Sequence, residues 1–128
     1  MRALSALAAT ALVATVVLAG CSSDPAKVSK DDVARVEAAA DDLKMGSSKS
    51  EVMSQLEYGQ KKQLSSSSVA GVAVEEWRLD AVHDDDWSKK RTQYVRFLYF
   101  ANGKLVQVSD KRIEYQTNPE VVKAWVGK

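Results

Sequence analysis

Two apolar, aromatic-rich runs that flank Asn102-Gly103 constrain the fold of this chain more than any other feature of its sequence. An Asn-Gly pair between two such runs favours a two-residue type I′ turn, because both central residues of that turn need a positive φ. The turn fixes the register of a β-hairpin over residues 94–108 and pairs Tyr99 with Val106 and Phe97 with Val108. We therefore expect an antiparallel sheet at the centre of the domain.

The two faces of this hairpin differ in polarity. One face is almost wholly apolar and consists of Val95, Phe97, Tyr99, Val106 and Val108. The other face is mixed and carries Arg96, Leu98, Phe100, Leu105 and Gln107. Because directly paired residues share a face, we assign the apolar face to the core beneath the helices. The mixed face is then one candidate docking site for a terminal helix.

Two helices are predicted ahead of the sheet. The first begins at Ser29 or Lys30 and ends at Gly46. Its apolar residues recur at intervals of three and four and form one stripe, made of Val33, Val36, Ala40 and Leu43. Ser48 and Glu51 fit a capping box, so a second short helix follows directly.

From Gly59, which should end the second helix, the apolar period changes from helical to alternating. Residues 61–64 predict a weak strand, and the polar run 65–68 is either a loop or a soluble edge of the sheet. Trp77, Leu79 and Ala81 alternate with charged residues, which predicts a half-buried strand with Trp77 in the core.

The C-terminal part of the chain predicts a bulge and a helix. The apolar parity slips after Val108, and a bulge near Ser109-Asp110 would account for this. Asn118 and Pro119 then read as N-cap and first residue of a short helix over 119–126. A helix this short must dock to be stable, and Trp125 is expected in its buried face. The fold class is therefore α+β: two N-terminal helices packed on an antiparallel sheet of three to four strands, plus a short C-terminal helix.

An apolar leader precedes this domain. Arg2 supplies a positive charge, the stretch from Ala3 to Leu18 is apolar, and Ala19-Gly20 supplies small residues before Cys21, the only cysteine. This order is that of a secretory signal, and Leu18-Ala19-Gly20-Cys21 resembles the lipobox of bacterial lipoproteins. A membrane-spanning helix is the rival interpretation, but a run of about 18 apolar residues is marginal for a bilayer.

The lipobox divides the chain into three parts. Residues 1–20 are the predicted lipoprotein signal peptide, with Leu18, Ala19 and Gly20 recognised by the signal peptidase. Residues 21–28 are the lipidated Cys21 and a tether, and residues 29–128 form a single domain. A diacylglyceryl group on Cys21 supplies the two chains that stable anchoring needs. We expect a cell-envelope location, on the outer membrane facing the periplasm in a diderm, or on the outer leaflet of the cell membrane in a monoderm.

Charge excludes one class of partner. The chain has 18 basic and 17 acidic side chains, and Arg2 is the only charged residue before Cys21. The processed chain of 108 residues is therefore close to neutral, which gives no attraction to nucleic acid, nor to anionic lipid beyond the anchor. A single cysteine also rules out an internal disulfide bond.

Residue types for catalysis are few. The chain has one histidine, His83, and its only thiol is the lipidation site, which excludes Cys-His catalysis. Counting leaves a Ser-His-Asp set open, but no Gly-x-Ser-x-Gly motif supports it. No phosphate-binding loop or dinucleotide fingerprint is present. We therefore expect no catalytic residue and no cofactor.

A charged loop is predicted from His83 to Arg91. Its acidic residues, Asp84 to Asp86, are consecutive and lack the alternation, glycine and distal Glu of a calcium loop, so we expect no metal site. Lys89-Lys90-Arg91 balances these acids, and a solvated loop is favoured over contact with anionic lipid. Trp87 lies among these charges, and it either stays exposed as a contact for a partner or folds back onto the sheet.

The chain resembles the BamE-like (SmpA/OmlA) lipoprotein family in the order of several residues that follow the lipobox. This family shares its architecture with β-lactamase inhibitor proteins. The stretch Gly-x-Thr/Ser-x-x-x-Val-x-x-x-Leu is matched by Gly46, Ser48, Val52 and Leu56. The aromatic of a middle strand is matched by Trp77, and the Phe-x-x-Gly-x-Leu hairpin is matched by Phe100, Gly103 and Leu105. Glu57 and Gly59 stand where the family usually has Gly-x-Pro. The resemblance spans residues 43–108 and implies a protein that binds others without catalysis.

The leading hypothesis is an envelope lipoprotein that acts as a non-catalytic binding or scaffold module. The resemblance implies a role in outer-membrane protein assembly. Its partners would be the membrane, through Cys21, and a protein of the envelope. The alternative is an inhibitor or sensor that binds a periplasmic or extracellular enzyme through its sheet face. The candidate partner contacts are Trp87, Leu98, Phe100 and Leu105.

Overall fold

The structure, a computed structural model, describes residues 27–127, and the leader, the lipobox and residues 21–26 of the tether lie outside them. The helices are α1 (Lys30–Asp41), α2 (Lys49–Gln55) and α3 (Pro119–Val126). The strands are β1 (Gln60–Val69), β2 (Val72–Asp84), β3 (Arg91–Ala101) and β4 (Lys104–Ser109). The strands form one antiparallel sheet in the order β1-β2-β3-β4. The predicted α+β class, with its short C-terminal helix, is confirmed.

The helix α1 begins at Lys30, as predicted, but it ends at Asp41 rather than at the predicted Gly46, and side chains cap the starts of both α1 and α2. The Asp32 main-chain N–H donates to Ser29 Oγ at 3.0 Å, and this bond fixes the start of α1. At α2 the Glu51 N–H donates to Ser48 Oγ at 3.3 Å, and the Ser48 N–H donates to Glu51 Oε1 at 2.9 Å. The predicted capping box is therefore confirmed.

Gly59 has a different role from the predicted one. The helix α2 already ends at Gln55, and Gly59 lies against the core at the entry to β1. A Cβ added at Gly59 would lie 2.5 Å from Leu79 Cδ1 and 3.3 Å from Val36 Cγ1. Lack of a side chain at this position therefore allows the chain to pass between α1 and the sheet.

The strands β1 and β2 form a hairpin that the sequence did not reveal. The polar run 65–68 is part of β1, so the soluble-edge interpretation is correct and the loop interpretation is wrong. Ala70 and Gly71 make the turn, with φ values of 53° and 79°. Both values lie in the left-handed region, which a type I′ turn requires.

The Asn102-Gly103 turn forms as predicted, but the register beyond it differs. The two residues have φ values of 52° and 83°, and Phe100 pairs with Leu105. The register then shifts, so that Tyr99 pairs with Gln107 instead of Val106. The predicted pairs Tyr99–Val106 and Phe97–Val108 are wrong: Phe97 pairs with Ser109, and Val108 pairs with Leu98. The bulge lies at Val106 rather than near Ser109-Asp110.

The assignment of the two sheet faces was inverted. The buried side chains beneath α1 and α2 include Leu98, Phe100 and Leu105, all from the hairpin face predicted to be mixed, together with Leu79 of β2. Trp77 is partly buried and packs against the same cluster, as predicted. The face with Phe97, Tyr99 and Val106 packs instead beneath α3 and the segment that precedes it. Both faces of the hairpin are apolar enough to form a core, and both do so.

The helix α3 docks through aromatic rings. The Trp125 ring lies 5.2 Å from the Tyr99 ring, and the Tyr115 ring contacts Tyr99 edge-on at 6.0 Å, both between ring centroids. Trp125 is buried, which confirms its predicted place in the core. The expected docking of this helix on Leu98, Phe100 and Leu105 is wrong, because α1 and α2 cover that face.

None of the helices within residues 27–127 has the length and apolar character needed to cross a membrane.

Candidate functional site

The N-terminal end of the described chain joins the sheet beside β2. The Val28 N–H donates to the Val82 carbonyl at 2.8 Å, and Lys27 forms a parallel bridge with Val82. His83 Nδ1 lies 3.0 Å from the Val28 carbonyl oxygen. Since β1 begins only at Gln60, opposite Asp80, residues 27–28 occupy the edge position that β1 leaves free. The chain therefore enters the domain at the end of the sheet where β2 stops.

A charged loop lies at this same end, and we call Asp84 to Arg91 the proximal loop. The Asp84 carboxylate lies where the loop leaves β2, and it pairs with Lys27 Nζ at 2.9 Å and with Arg91 Nε at 2.8 Å. Hydrogen bonds from Arg91 first, and then from Lys27, lower the pKa of Asp84 to about 2. The same pairing raises the pKa of Arg91. One carboxylate thus holds both ends of the loop and the incoming chain together.

The tip of the proximal loop is held by its own hydrogen bonds. The Trp87 main-chain N–H donates to Asp85 Oδ1 at 2.9 Å, and this bond lowers the pKa of Asp85. Main-chain bonds of 2.8 and 2.9 Å also link Asp85 with Lys90 and Lys89. The Trp87 side chain is 96% exposed. The alternative in which Trp87 folds back onto the sheet is therefore wrong.

The acidic run that begins at His83 is divided among separate tasks. Asp84 pairs with two cations, Asp85 closes the loop, and Asp86 is exposed. Among residues 27–127, no three His, Cys, Asp or Glu side chains are grouped so that they could hold a metal ion.

The opposite end of the sheet carries a shallow groove, which we call the distal groove. Its volume is about 230 Å³, and a separate, larger space of about 490 Å³ lies between α1 and α2. Its lining residues come from the α1–α2 connection, β4 and α3, and they are Met45, Gly46, Lys104, Leu105, Val106 and Trp125. The Met45 side chain is 56% exposed, and Val126, which follows Trp125 in α3, is also exposed. An apolar groove with exposed apolar side chains is a candidate contact for a partner.

Hydrogen bonds fix the wall of the distal groove. The Gly46 N–H donates to the Leu105 carbonyl at 2.7 Å, and the Leu105 N–H donates to the Ser47 carbonyl at 2.8 Å. The connection between α1 and α2 therefore covers the edge of β4 at this point. Met45 directly precedes these bonds, so its position is set by a rigid segment. The sequence did not single out Met45, because its exposure follows from tertiary packing.

Three of the four predicted partner contacts are buried. Leu98, Phe100 and Leu105 lie in the core beneath α1 and α2 and have almost no exposed surface. A partner has no access to these side chains, so their prediction as contacts is wrong. Trp87 remains a prediction, and the structure leaves its indole open to solvent.

A buried carboxylate that the sequence analysis missed lies beneath the C-terminal segment. Glu76 accepts hydrogen bonds from Arg112 at 2.8 and 3.1 Å, from Tyr99 Oη at 2.7 Å and from Ser65 Oγ at 3.1 Å. Burial raises its pKa, but these hydrogen bonds, led by those from Arg112, outweigh burial and lower the pKa overall. The alternation in β2 had placed Glu76 on the solvent side of the strand.

The partners of Glu76 determine what this carboxylate can do. Its two oxygens already accept four hydrogen bonds, so it stays ionised and paired rather than free to take a proton from a substrate. A cavity of about 220 Å³ adjoins it and is lined by Arg112, Glu114 and Tyr115, among others. The cluster ties the segment after β4 to the sheet, and this is a structural role.

Comparisons of the chain with protein-family models, with curated proteins and with solved structures found no match.

Proposed function

We propose that this protein is a lipid-anchored, non-catalytic binding or scaffold module of the cell envelope, with a BamE-like architecture. One observation carries the proposal. The chain enters the domain at Lys27 and Val28, only six residues after Cys21, at the end of the sheet farthest from the distal groove. An anchor at Cys21 would therefore hold one end of the domain near the membrane and direct the other end away from it.

The dimensions of the chain support this orientation. Six residues span at most about 22 Å, so the entry point at Lys27 stays within that distance of a lipidated Cys21. The strand β3 runs from Arg91 at the proximal end to Ala101 at the distal end, and its 11 residues extend roughly 35 Å at 3.3 Å per residue. The distal groove would thus lie farther from the membrane than the tether reaches, where a partner protein has access to it.

The contacts of the titratable groups support a role without catalysis. His83 lies against the main-chain oxygen of Val28 rather than a serine hydroxyl, and Glu76 is fully paired. A general base needs a free lone pair within reach of the proton that it removes. The binding of a partner at the distal groove needs no such group.

Site-specific photocrosslinking in the native membrane tests the proposal. A photoreactive amino acid replaces Met45 in the full-length chain, and a matched control replaces Glu57, which is exposed in the connection between α2 and β1. We expect one defined envelope-protein adduct from position 45 and none from position 57. Absence of an adduct at position 45, or the same adducts from both positions, would contradict a distal binding groove.

An inhibitor or sensor remains the second candidate, and one observation favours it. One face of the sheet packs beneath α3. The part of this face near the proximal loop presents Arg78, Gln93 and Val95 at least partly to solvent. Arg78 and Gln93 both bond to Asp80, which holds them in fixed positions. Loss of binding to an envelope enzyme in Arg78→Glu, with Met45→Asp unaffected, would favour this candidate over the first.

A further inference from the structure

We propose that the proximal loop is a membrane contact, with the Trp87 indole at the headgroup level of the bilayer and Lys89 and Lys90 beside the lipid phosphates. The contact would hold the anchored domain in one orientation, with the distal groove pointing away from the membrane. This inference rests on the proposed function, because the anchor brings the loop to the surface.

The first step of the argument is the position of the loop relative to the anchor. Asp84 pairs with both Lys27 and Arg91, so the loop and the incoming tether start from one point. Trp87 is three residues from Asp84, which limits the distance between their Cα atoms to about 11 Å. Cys21 is six residues from Lys27, which corresponds to at most about 22 Å. A lipid on Cys21 would therefore be held on the same side of the domain as Trp87.

The second step is the state of the tryptophan. Its side chain is 96% exposed, although the residue is large and apolar. The loop is closed by bonds from the main chain to Asp85, so it presents the indole outward on a defined turn. Indole combines an apolar body with an N–H donor, and tryptophan is accordingly enriched at the interface between membrane and water.

The third step is the charge around the indole. The four cations at this end of the domain, Lys27, Lys89, Lys90 and Arg91, exceed the three carboxylates, Asp84 to Asp86, by one charge, and Lys89 and Lys90 are exposed. Basic side chains near a membrane surface are attracted to anionic lipids, and salt screens this attraction. Asp86 stays exposed, and its charge opposes deep insertion. The contact is therefore shallow and does not reach the hydrocarbon core.

Fluorescence quenching by lipids that carry a nitroxide on the headgroup tests this contact, because the quencher then lies at the depth proposed for the indole. The full-length chain is expressed in a bacterial host, and the membrane form is purified and reconstituted into vesicles of headgroup-nitroxide phosphatidylcholine with phosphatidylglycerol. We expect a loss of emission that corresponds to one tryptophan of the three, because Trp77 and Trp125 belong to the packed domain. In Trp87→Phe this loss should disappear while the remaining emission is unchanged. Lys89→Gln/Lys90→Gln should reduce the quenching at low salt.

The outcomes separate this inference from the proposed function. Equal quenching of the wild-type protein and Trp87→Phe, or no quenching of either, would overturn the membrane contact. If lipid does not quench Trp87 and the residue crosslinks to a protein, the loop contacts a protein partner instead of the membrane. If mass spectrometry finds no lipid on Cys21, the proposed function fails. The same chain is then coupled at its single cysteine to a maleimide lipid, and the quenching measurement still decides the role of the loop.

Discussion

Glu76 and Arg112 form a two-pronged ion pair across 36 residues of chain, with hydrogen bonds of 2.8 and 3.1 Å. The Glu76 side chain is 2% exposed and the Arg112 side chain is 61% exposed, so the pair reaches from the sheet to the surface. The Ile113 N–H next to Arg112 donates to Tyr99 Oη at 2.7 Å. These bonds fix the segment after β4 on the sheet and so position α3 and one wall of the distal groove.

Replacement of Arg112 should destabilise the domain. Arg112→Met removes two charge-assisted hydrogen bonds and leaves the buried Glu76 carboxylate with neutral donors only, so we expect a loss of about 2 kcal/mol in the free energy of unfolding. Urea denaturation measures it. Arg35→Met is the matched control, because Arg35 is also 61% exposed and pairs with Asp32 at 3.1 Å on the surface. Its loss should not exceed about 1 kcal/mol, and equal losses would contradict the role of Glu76.

The stability of the domain should fall in acid, partly through Glu76. The folded state lowers the pKa of Glu76 below the ordinary value of 4.5, so the unfolded chain binds this proton more readily. The contribution of Glu76 is therefore complete above about pH 4.5 and is lost as the pH falls through its pKa in the folded protein. The difference in stability between the wild type and Glu76→Gln should shrink from about pH 7 to about pH 3.5. A difference independent of pH would count against the assignment.

A methyl group at Gly59 should be costly. Gly59→Ala places a Cβ against Leu79 and Val36 in the core, and overpacking of this kind costs about 1–3 kcal/mol in the free energy of unfolding. The added methyl should cost less in a Leu79→Ala background, since that change makes room for it. Thermal and urea unfolding of the four variants in this cycle measure the coupling. The same cost in both backgrounds would show that contact with Leu79 is not the cause.

The docking of α3 depends on Trp125. Trp125→Ala removes the ring that packs on Tyr99, and truncation of a buried tryptophan costs about 3–5 kcal/mol. The neighbouring Val126 is exposed, so Val126→Ala should change stability by no more than about 0.5 kcal/mol. Urea unfolding and the near-ultraviolet circular dichroism of the aromatic rings distinguish the two variants. A small effect of Trp125→Ala would mean that α3 does not need this contact.

Interactions between residues that are close in the sequence made part of the fold predictable. The Ser48 capping box and the Asn102-Gly103 turn each depend on residues within a few positions of one another, and both are confirmed. The Ala70-Gly71 turn escaped prediction because alanine seldom adopts a positive φ, so the dipeptide carries no clear turn signal.

The sequence did not show which face of the sheet lies beneath α1 and α2, and the reason is physical. A single bulged residue, Val106, shifts the register and moves Val108 to the other face of the sheet. Nothing local in the sequence marks this position. Both faces of the hairpin are also apolar, so polarity does not decide which one lies beneath α1 and α2. The burial of Leu98 and Phe100 follows from this choice.

The candidate site was only partly predictable. The exposure of Trp87 was one of two alternatives, because a tryptophan among charges has no local partner that decides its position. The link between the loop and the tether depends on Lys27 and Asp84, which are far apart in the sequence. No periodic pattern reports such a contact, and only the fold brings the two together.

The central claim is that a lipid on Cys21 holds this domain at a membrane, and intact mass spectrometry of the membrane-bound protein tests it most directly. The account predicts a chain that begins at Cys21 and carries the added mass of a diacylglyceryl group. A chain that still begins at Met1, with an unmodified thiol at Cys21, would contradict it.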